Sequence, residues 1–166
     1  HQERNCMWTS TYGTGLLITD AIERGAKHIM LGLGGSATCD AGIGMAEALG
    51  FSFEGENGKM VQVKGRDLLR IKAIHPPNSM NSLSKVQFSV ASDVDNPLYG
   101  EKGAAFVFAP QKGASQEEVK ELDQGLRHIA PMLNALSGEE IEDIPGAGAA
   151  GGMGAGALSF LGGKIT

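Results

Sequence analysis

Hydrophobic and polar positions along the chain follow two periods, one of three to four residues and one of two, and the changes between them mark its elements. After Thr9-Ser10-Thr11, the positions Leu16, Leu17, Asp20, Ala21 and Arg24 predict a helix with hydroxyl caps before it and Gly25 placed to stop it. His28-Ile29-Met30-Leu31 is a short apolar run bounded by glycine, which predicts a strand buried on both faces. A polar glycine loop, Gly34-Gly35-Ser36-Ala37-Thr38-Cys39-Asp40, leads into a second helix carried by Ile43, Met45, Ala46, Ala48 and Leu49 and ended by Gly50. Phe51-Ser52-Phe53 and Met60-Val61-Gln62-Val63 alternate with period two around Asn57-Gly58, so they predict an antiparallel hairpin.

Further on, residues 66–71 read as a short helical turn, and His75-Pro76-Pro77-Asn78-Ser79 as surface chain that is neither helix nor strand. Val86 to Val90 alternates again and runs into Asp93-Val94-Asp95-Asn96-Pro97, which places acids at a strand end. Residues 104–108 suit a buried helix or a strand, with helix preferred. Ser115-Gln116-Glu117-Glu118 is a capping box, and Val119, Leu122, Leu126 and Ile129 follow at helical spacing. Pro131 is predicted to kink or interrupt that helix, and residues 139–143 read as an acidic linker. Gly146 to Leu161 reads as a glycine loop followed by a small-residue helix. No repeat of fixed period is present, and the pattern as a whole predicts an α/β fold with a mixed sheet and flanking helices.

Composition narrows the class. With 166 residues, 42% hydrophobic and 20% charged, the chain has material for one core and too little charge for disorder. A net charge of -5, with no two Lys or Arg residues adjacent, excludes a broad nucleic-acid grip. The tract from Ala147 to Phe160 is mostly glycine and alanine and shorter than the roughly 20 residues of a membrane helix, so no membrane partner is expected. Two cysteines, Cys6 and Cys39, make no disulfide framework, and a cytoplasmic location is the expectation. The start at His1, without an initiator methionine or signal-like stretch, reads as that of an excised segment.

Gly32 to Thr38 combines closely spaced amides, two hydroxyls and the start of a helix, the ingredients of an anion site. The bland reading is a tight turn in which Thr38 or Asp40 caps the helix. Gly32, Gly34 and Ala37 also fit a loose dinucleotide fingerprint, with Glu54 about twenty residues on, which keeps a dinucleotide-binding oxidoreductase open as an alternative. Gly146 to Gly154 is either a phosphate-approaching loop or close packing by small residues. Neither loop ends in the Lys-Ser/Thr of a Walker A sequence. Asp93, Asp95 and Asn96 suit either a Mg²⁺ that keeps most of its waters or a turn ahead of Pro97. Lys112 offers a charge for phosphate or is a solvated loop lysine. Trp8 and Tyr12 read as packing residues.

Five strings in order carry a family resemblance: Thr9 to Gly15, Gly34-Gly35-Ser36-Ala37-Thr38-x-Asp40, Asp93 to Leu98, Pro110 to Ala114, and Pro145 to Gly154. Together they resemble the bacterial-type glycerate kinases, and the chain is similar to that family's inserted middle domain. Residues 1–166 are thus expected to be one domain of a larger two-domain kinase, with the flanking segments of the other domain absent. The resemblance implies ATP-dependent phosphorylation of D-glycerate with a divalent metal, and D-glycerate, ATP and the second domain as partners. On the matched positions it implies substrate or phosphate contacts from Gly34, Gly35, Ser36, Thr38, Asp40, Lys112, Gly148, Gly151 and Gly152, and Mg²⁺ at Asp93 or Asp95. Cys39 and Ala41 stand where the family usually has asparagine and glycine. With one wall of an interdomain cleft missing, the segment alone is expected to have little or no kinase activity.

Overall fold

A computed structural model describes residues 4–78, 80 and 82–166; Ser79, expected at the surface, lies outside them. The elements run α1 (Tyr12–Glu23), β1 (His28–Gly32), α2 (Ile43–Ala48), β2 (Ser52–Glu54), β3 (Ala73–His75), β4 (Gln87–Ala91), α3 (Ala104–Phe108), α4 (Gln116–Ser137), α5 (Ala149–Leu161) and β5 (Lys164–Ile165). Three strands form a parallel sheet in the order β1-β4-β5, and β2 pairs antiparallel with β3 in a second, small sheet. The expected α/β class with flanking helices is what forms, with parallel and antiparallel pairing divided between two sheets.

Helix α5 is the centre of the core. Its alanines and glycines other than Ala150 are buried, and Phe160 meets Phe51 and Phe53 edge-on at 5.1 and 6.2 Å between ring centroids. Helix α4 buries Val119, Leu122, Leu126, Ile129 and Leu133 and packs on α5 and on the turn of residues 65–70, and the capping box is complete, with Glu118 N donating to Ser115 Oγ and Ser115 N to Glu118.

Four expectations need correction. Strand β1 is not covered on both faces: it pairs only with β4, its residues alternate between exposed and half-buried, and Met30 is 64% exposed. An apolar run records that a strand can be buried, not which surface covers it. The main partner of β2 is β3, in the register Phe53↔Ile74, so His75 is a strand residue. Residues near 60 supply an antiparallel bridge to Glu54 and two bonds, Val61 N to Phe53 O at 2.8 Å and Gly55 N to Lys59 O at 2.7 Å, so the chain does reverse at Asn57-Gly58 without forming the expected second strand. Helix α4 runs through Pro131, which lies on its exposed side while Ile129, Ala130 and Leu133 bury the opposite face. One missing amide donor is outweighed there by burial. Residues 139–143 are no loose linker, since Asn134 holds Ile141 N and Glu142, and Ile141 is fully buried.

Candidate functional site

The chain leaves β1 and β4 in the same direction, because the two strands are parallel neighbours, so the loops after Gly32 and after Ala91 meet beyond the carboxyl ends of the sheet. Open α/β sheets place ligands there. Leu33 N still donates to Ala91 O at 2.9 Å, and Ala41 N donates to Gly151 O at 3.1 Å. Between these anchors the amides of Gly34, Gly35, Ser36, Ala37 and Thr38 find no acceptor within the described chain. Gly34, Gly35 and Ala37 are exposed and Ser36 and Thr38 half-buried, so the run is a donor surface open to solvent or to an anion.

Lys112 faces that surface. It stands in the short turn of residues 110–112 ahead of α4, and its Nζ donates to Ser36 Oγ and to Thr38 O, both at 2.8 Å. Burial holds its pKa below the ordinary lysine value, with Asp40 among the charges pulling the other way. No carboxylate lies within ion-pair distance of it among the described residues. A cleft of about 210 Å³ is lined by Gly34, Gly35, Ser36, Asp93, Gln111 and Lys112. A second, of about 360 Å³, lies on the other side of Ser36 and is lined by Ser10, Thr14, Thr38, the end of β1 and Met153. Leu33, Gly34, Ser36 and Ala150 belong to both clefts.

Asp40 is not on this surface. It is fully buried, and its carboxylate accepts from Thr11 N at 2.8 Å, Thr11 Oγ1 at 2.9 Å, Gly42 N at 3.1 Å and Gly44 N at 3.4 Å. Thr11 Oγ1 in turn accepts from Met45 N at 2.8 Å, so the expected cap of α1 serves the first turn of α2 instead. Desolvation pushes the Asp40 carboxyl pKa up, against the hydrogen bonds that favour the charged form. The amino end of α2 is therefore occupied by the chain's own carboxylate. This removes the dinucleotide reading through Gly32, Gly34 and Ala37, which needs a pyrophosphate on that helix end directly after the strand; Glu54 moreover pairs with His75 at 2.7 Å.

The other sequence-derived residues divide. Asp93 lines the Lys112 cleft, whereas Asp95 is exposed and lines neither cleft. No three His, Cys, Asp or Glu side chains gather into a metal cluster among the described residues. Gly148, Gly151 and Gly152 are buried. A Cβ on Gly148 would strike Pro97 O, one on Gly151 would strike Thr38 O, and Gly152 faces Leu98 and Ala41. Ala150, between them, reaches both clefts with a left-handed φ of 51°. Ala150 was passed over within the string from Pro145 to Gly154. Ser10, Thr14 and Gln111 sat unremarked inside strings already singled out. Trp8 and Tyr12, expected to be packed, are 55% and 42% exposed.

Fold and clefts together define an α/β domain whose glycine-built polar surface lies at the carboxyl ends of a parallel sheet. The chain belongs to the glycerate kinase family, whose model matches residues 1–166. It is 48% identical over 164 residues to a glycerate kinase of Halalkalibacterium halodurans, and 42% identical over 164 residues to glycerate 2-kinase of Escherichia coli. Each match covers 99% of this chain and 43% of the relative. A crystal structure described as a glycerate kinase 2 from Salmonella typhimurium LT2 superposes with a TM-score of 0.93 at 39% identity, over 98% of this chain and 44% of that one. The chain thus spans somewhat under half the length of the relatives it matches.

Proposed function

We propose that residues 1–166 are one domain of a two-domain glycerate kinase, which transfers a phosphoryl group from ATP to D-glycerate to give phosphoglycerate. The observation that carries this reading is the run of unpartnered amides from Gly34 to Thr38 beside Lys112, a cation without a carboxylate partner. Phosphoryl transfer asks mainly for positioning and charge neutralisation. The loop amides with Ser36 and Thr38 hold anionic oxygens, and Lys112 neutralises charge as it builds on the transferred group. Asp40 acts from beneath by fixing the loop to α1 and α2. The hydroxyls of Ser10 and Thr14 line a neutral cleft next to the charged one, which suits a small hydroxy acid.

A bound Mg²⁺ would supply charge neutralisation to the phosphates. Asp93 fits it as an exposed carboxylate on the rim of the Lys112 cleft, and Asp95 follows two residues on. Gly148, Gly151 and Gly152 support the loop by packing beneath it, with Ala150 at the surface. The second domain supplies the facing wall, so the segment alone turns over slowly or not at all.

The test is glycerate-dependent ATP consumption by the intact protein, with Asp93→Ala and Asp95→Ala measured separately. A fall of about a hundredfold or more is expected for Asp93→Ala, with altered Mg²⁺ dependence. Unchanged rate and metal dependence in both variants would remove the metal assignment, and absence of glycerate-dependent turnover in the intact protein would remove the activity.

A further inference from the structure

Two other clefts share no lining residue with the Ser36–Lys112 surface. The first, about 400 Å³, is lined by Lys59, Arg70 and Lys72 with Glu56; the second, about 340 Å³, by Lys64, Arg66 and Arg70 with Trp8 and Asp67. Arg70 and Met60 line both, so the two clefts adjoin along a shared wall. The segment from Lys59 to Lys72 builds them because Val61, Val63, Leu68 and Ile71 turn into the core, leaving its basic residues outside. Five basic side chains thus face two carboxylates in a chain of net charge -5.

The two guanidinium groups are held in place. Arg70 Nη1 lies 3.1 Å from Oδ1 of Asp67, a carboxylate only 6% exposed, and Arg66 lies 4.0 Å above the ring of Trp8. An oriented guanidinium presents paired N–H donors that match phosphate oxygens. Both clefts are concave and have the volume of small-molecule sites, unlike the long stripe that tracks a nucleic-acid backbone or the groove that takes an extended peptide.

We infer that these adjoining clefts bind a small polyanion carrying two or more phosphate groups, at a site separate from the proposed phosphoryl-transfer loop. The inference does not depend on the kinase reading. Trp8 is the only tryptophan of residues 1–166, and its neighbour Thr9 donates to Ala37 O in the other loop, so the site is read as the emission lost in a Trp8→Phe variant of the intact protein, with both proteins measured in a Lys112→Gln background. Titration with inorganic tripolyphosphate should give a saturable change in Trp8 emission as Arg66 is drawn from the ring. Lys59→Gln/Lys72→Gln and Lys64→Gln/Arg66→Gln should each weaken binding by about tenfold or more. Lys85→Gln/Lys102→Gln, which removes the same charge elsewhere, should leave it within about twofold. Calorimetric binding without a change in Trp8 emission would overturn the site, as would equal weakening by all three double variants. Tighter binding of a single-stranded oligonucleotide than of tripolyphosphate would overturn the ligand class.

Discussion

The chain has two glycine-rich loops of similar composition, residues 32–38 and 146–154, and they serve opposite ends. In the first, an added Cβ at Gly34 or Gly35 meets open space, and five successive amides have no acceptor. In the second, Gly148 and Gly151 each have another segment's backbone where a side chain would be, Gly154 has the loop's own Gly146 O there, and Gly151 and Gly152 sit at positive φ. Absence of a side chain admits a neighbour in both cases. In the second loop that neighbour is the protein itself, which holds the first loop up through Ala41 N and Gly151 O.

The comparison breaks most sharply on Gly151→Ala. Its methyl would overlap Thr38 O, and its φ of +73° is strained for any side chain, so a loss of about 4 kcal/mol or failure to fold is expected in chemical denaturation. A loss below about 1 kcal/mol would mean that the second loop is not packed as described. Next comes Asp40→Ala, which leaves the amides of Thr11, Gly42 and Gly44 and the Thr11 hydroxyl without their shared acceptor in a fully buried place. About 3 kcal/mol of destabilisation is expected by the same measurement. Asp40→Asn should recover only part of it, since an amide nitrogen would face donors.

Much of this was legible from residue order, and what was missed has physical causes. The capping box at Ser115, the glycine stops at Gly25 and Gly50, and the acids at the end of β4 are local effects that a short string determines. The bland reading of Asp40 as a cap was also there, and the structure bears it out. The partner of β2 was not legible, because Met60 to Val63 and Ala73 to His75 lie on opposite sides of Glu54 and only tertiary packing decides between them. Nor was the difference between the glycine loops, since glycine leaves the same letter whether it makes room for a ligand or for Pro97.

A third prediction tests Lys112 as the charge of the open loop. Lys112→Gln should weaken phosphate binding there by about ten- to a hundredfold, read by calorimetry in a Lys59→Gln/Lys72→Gln background, with little loss of stability. The pH dependence has a definite sign. Burial disfavours the ammonium, so anion affinity should fall as pH rises through the lowered pKa, earlier than the ordinary 10.5. Over the same window, from the lowered value up to 10.5, the group's effect on stability runs the other way, because the unfolded chain binds the proton more tightly and stability rises with pH. Lys112→Arg should move the alkaline loss of affinity upward, and an identical limb in both proteins would assign it to another group.

The smallest expected effect on stability is the most discriminating. Gly34 lines both clefts, has no atom within 4 Å of an added Cβ, and does not occupy the positive-φ region that its neighbour Gly35 does. Gly34→Ala should therefore leave stability within about 0.5 kcal/mol of the parent, or raise it slightly by restricting the unfolded chain. The same methyl stands at the wall common to both clefts, where it takes space from whatever the loop holds. If the open loop is a binding surface, Gly34→Ala should keep the melting transition and lose phosphate affinity, the reverse of a packing glycine. Parallel loss of both would show that Gly34, like Gly151, is occupied by the fold.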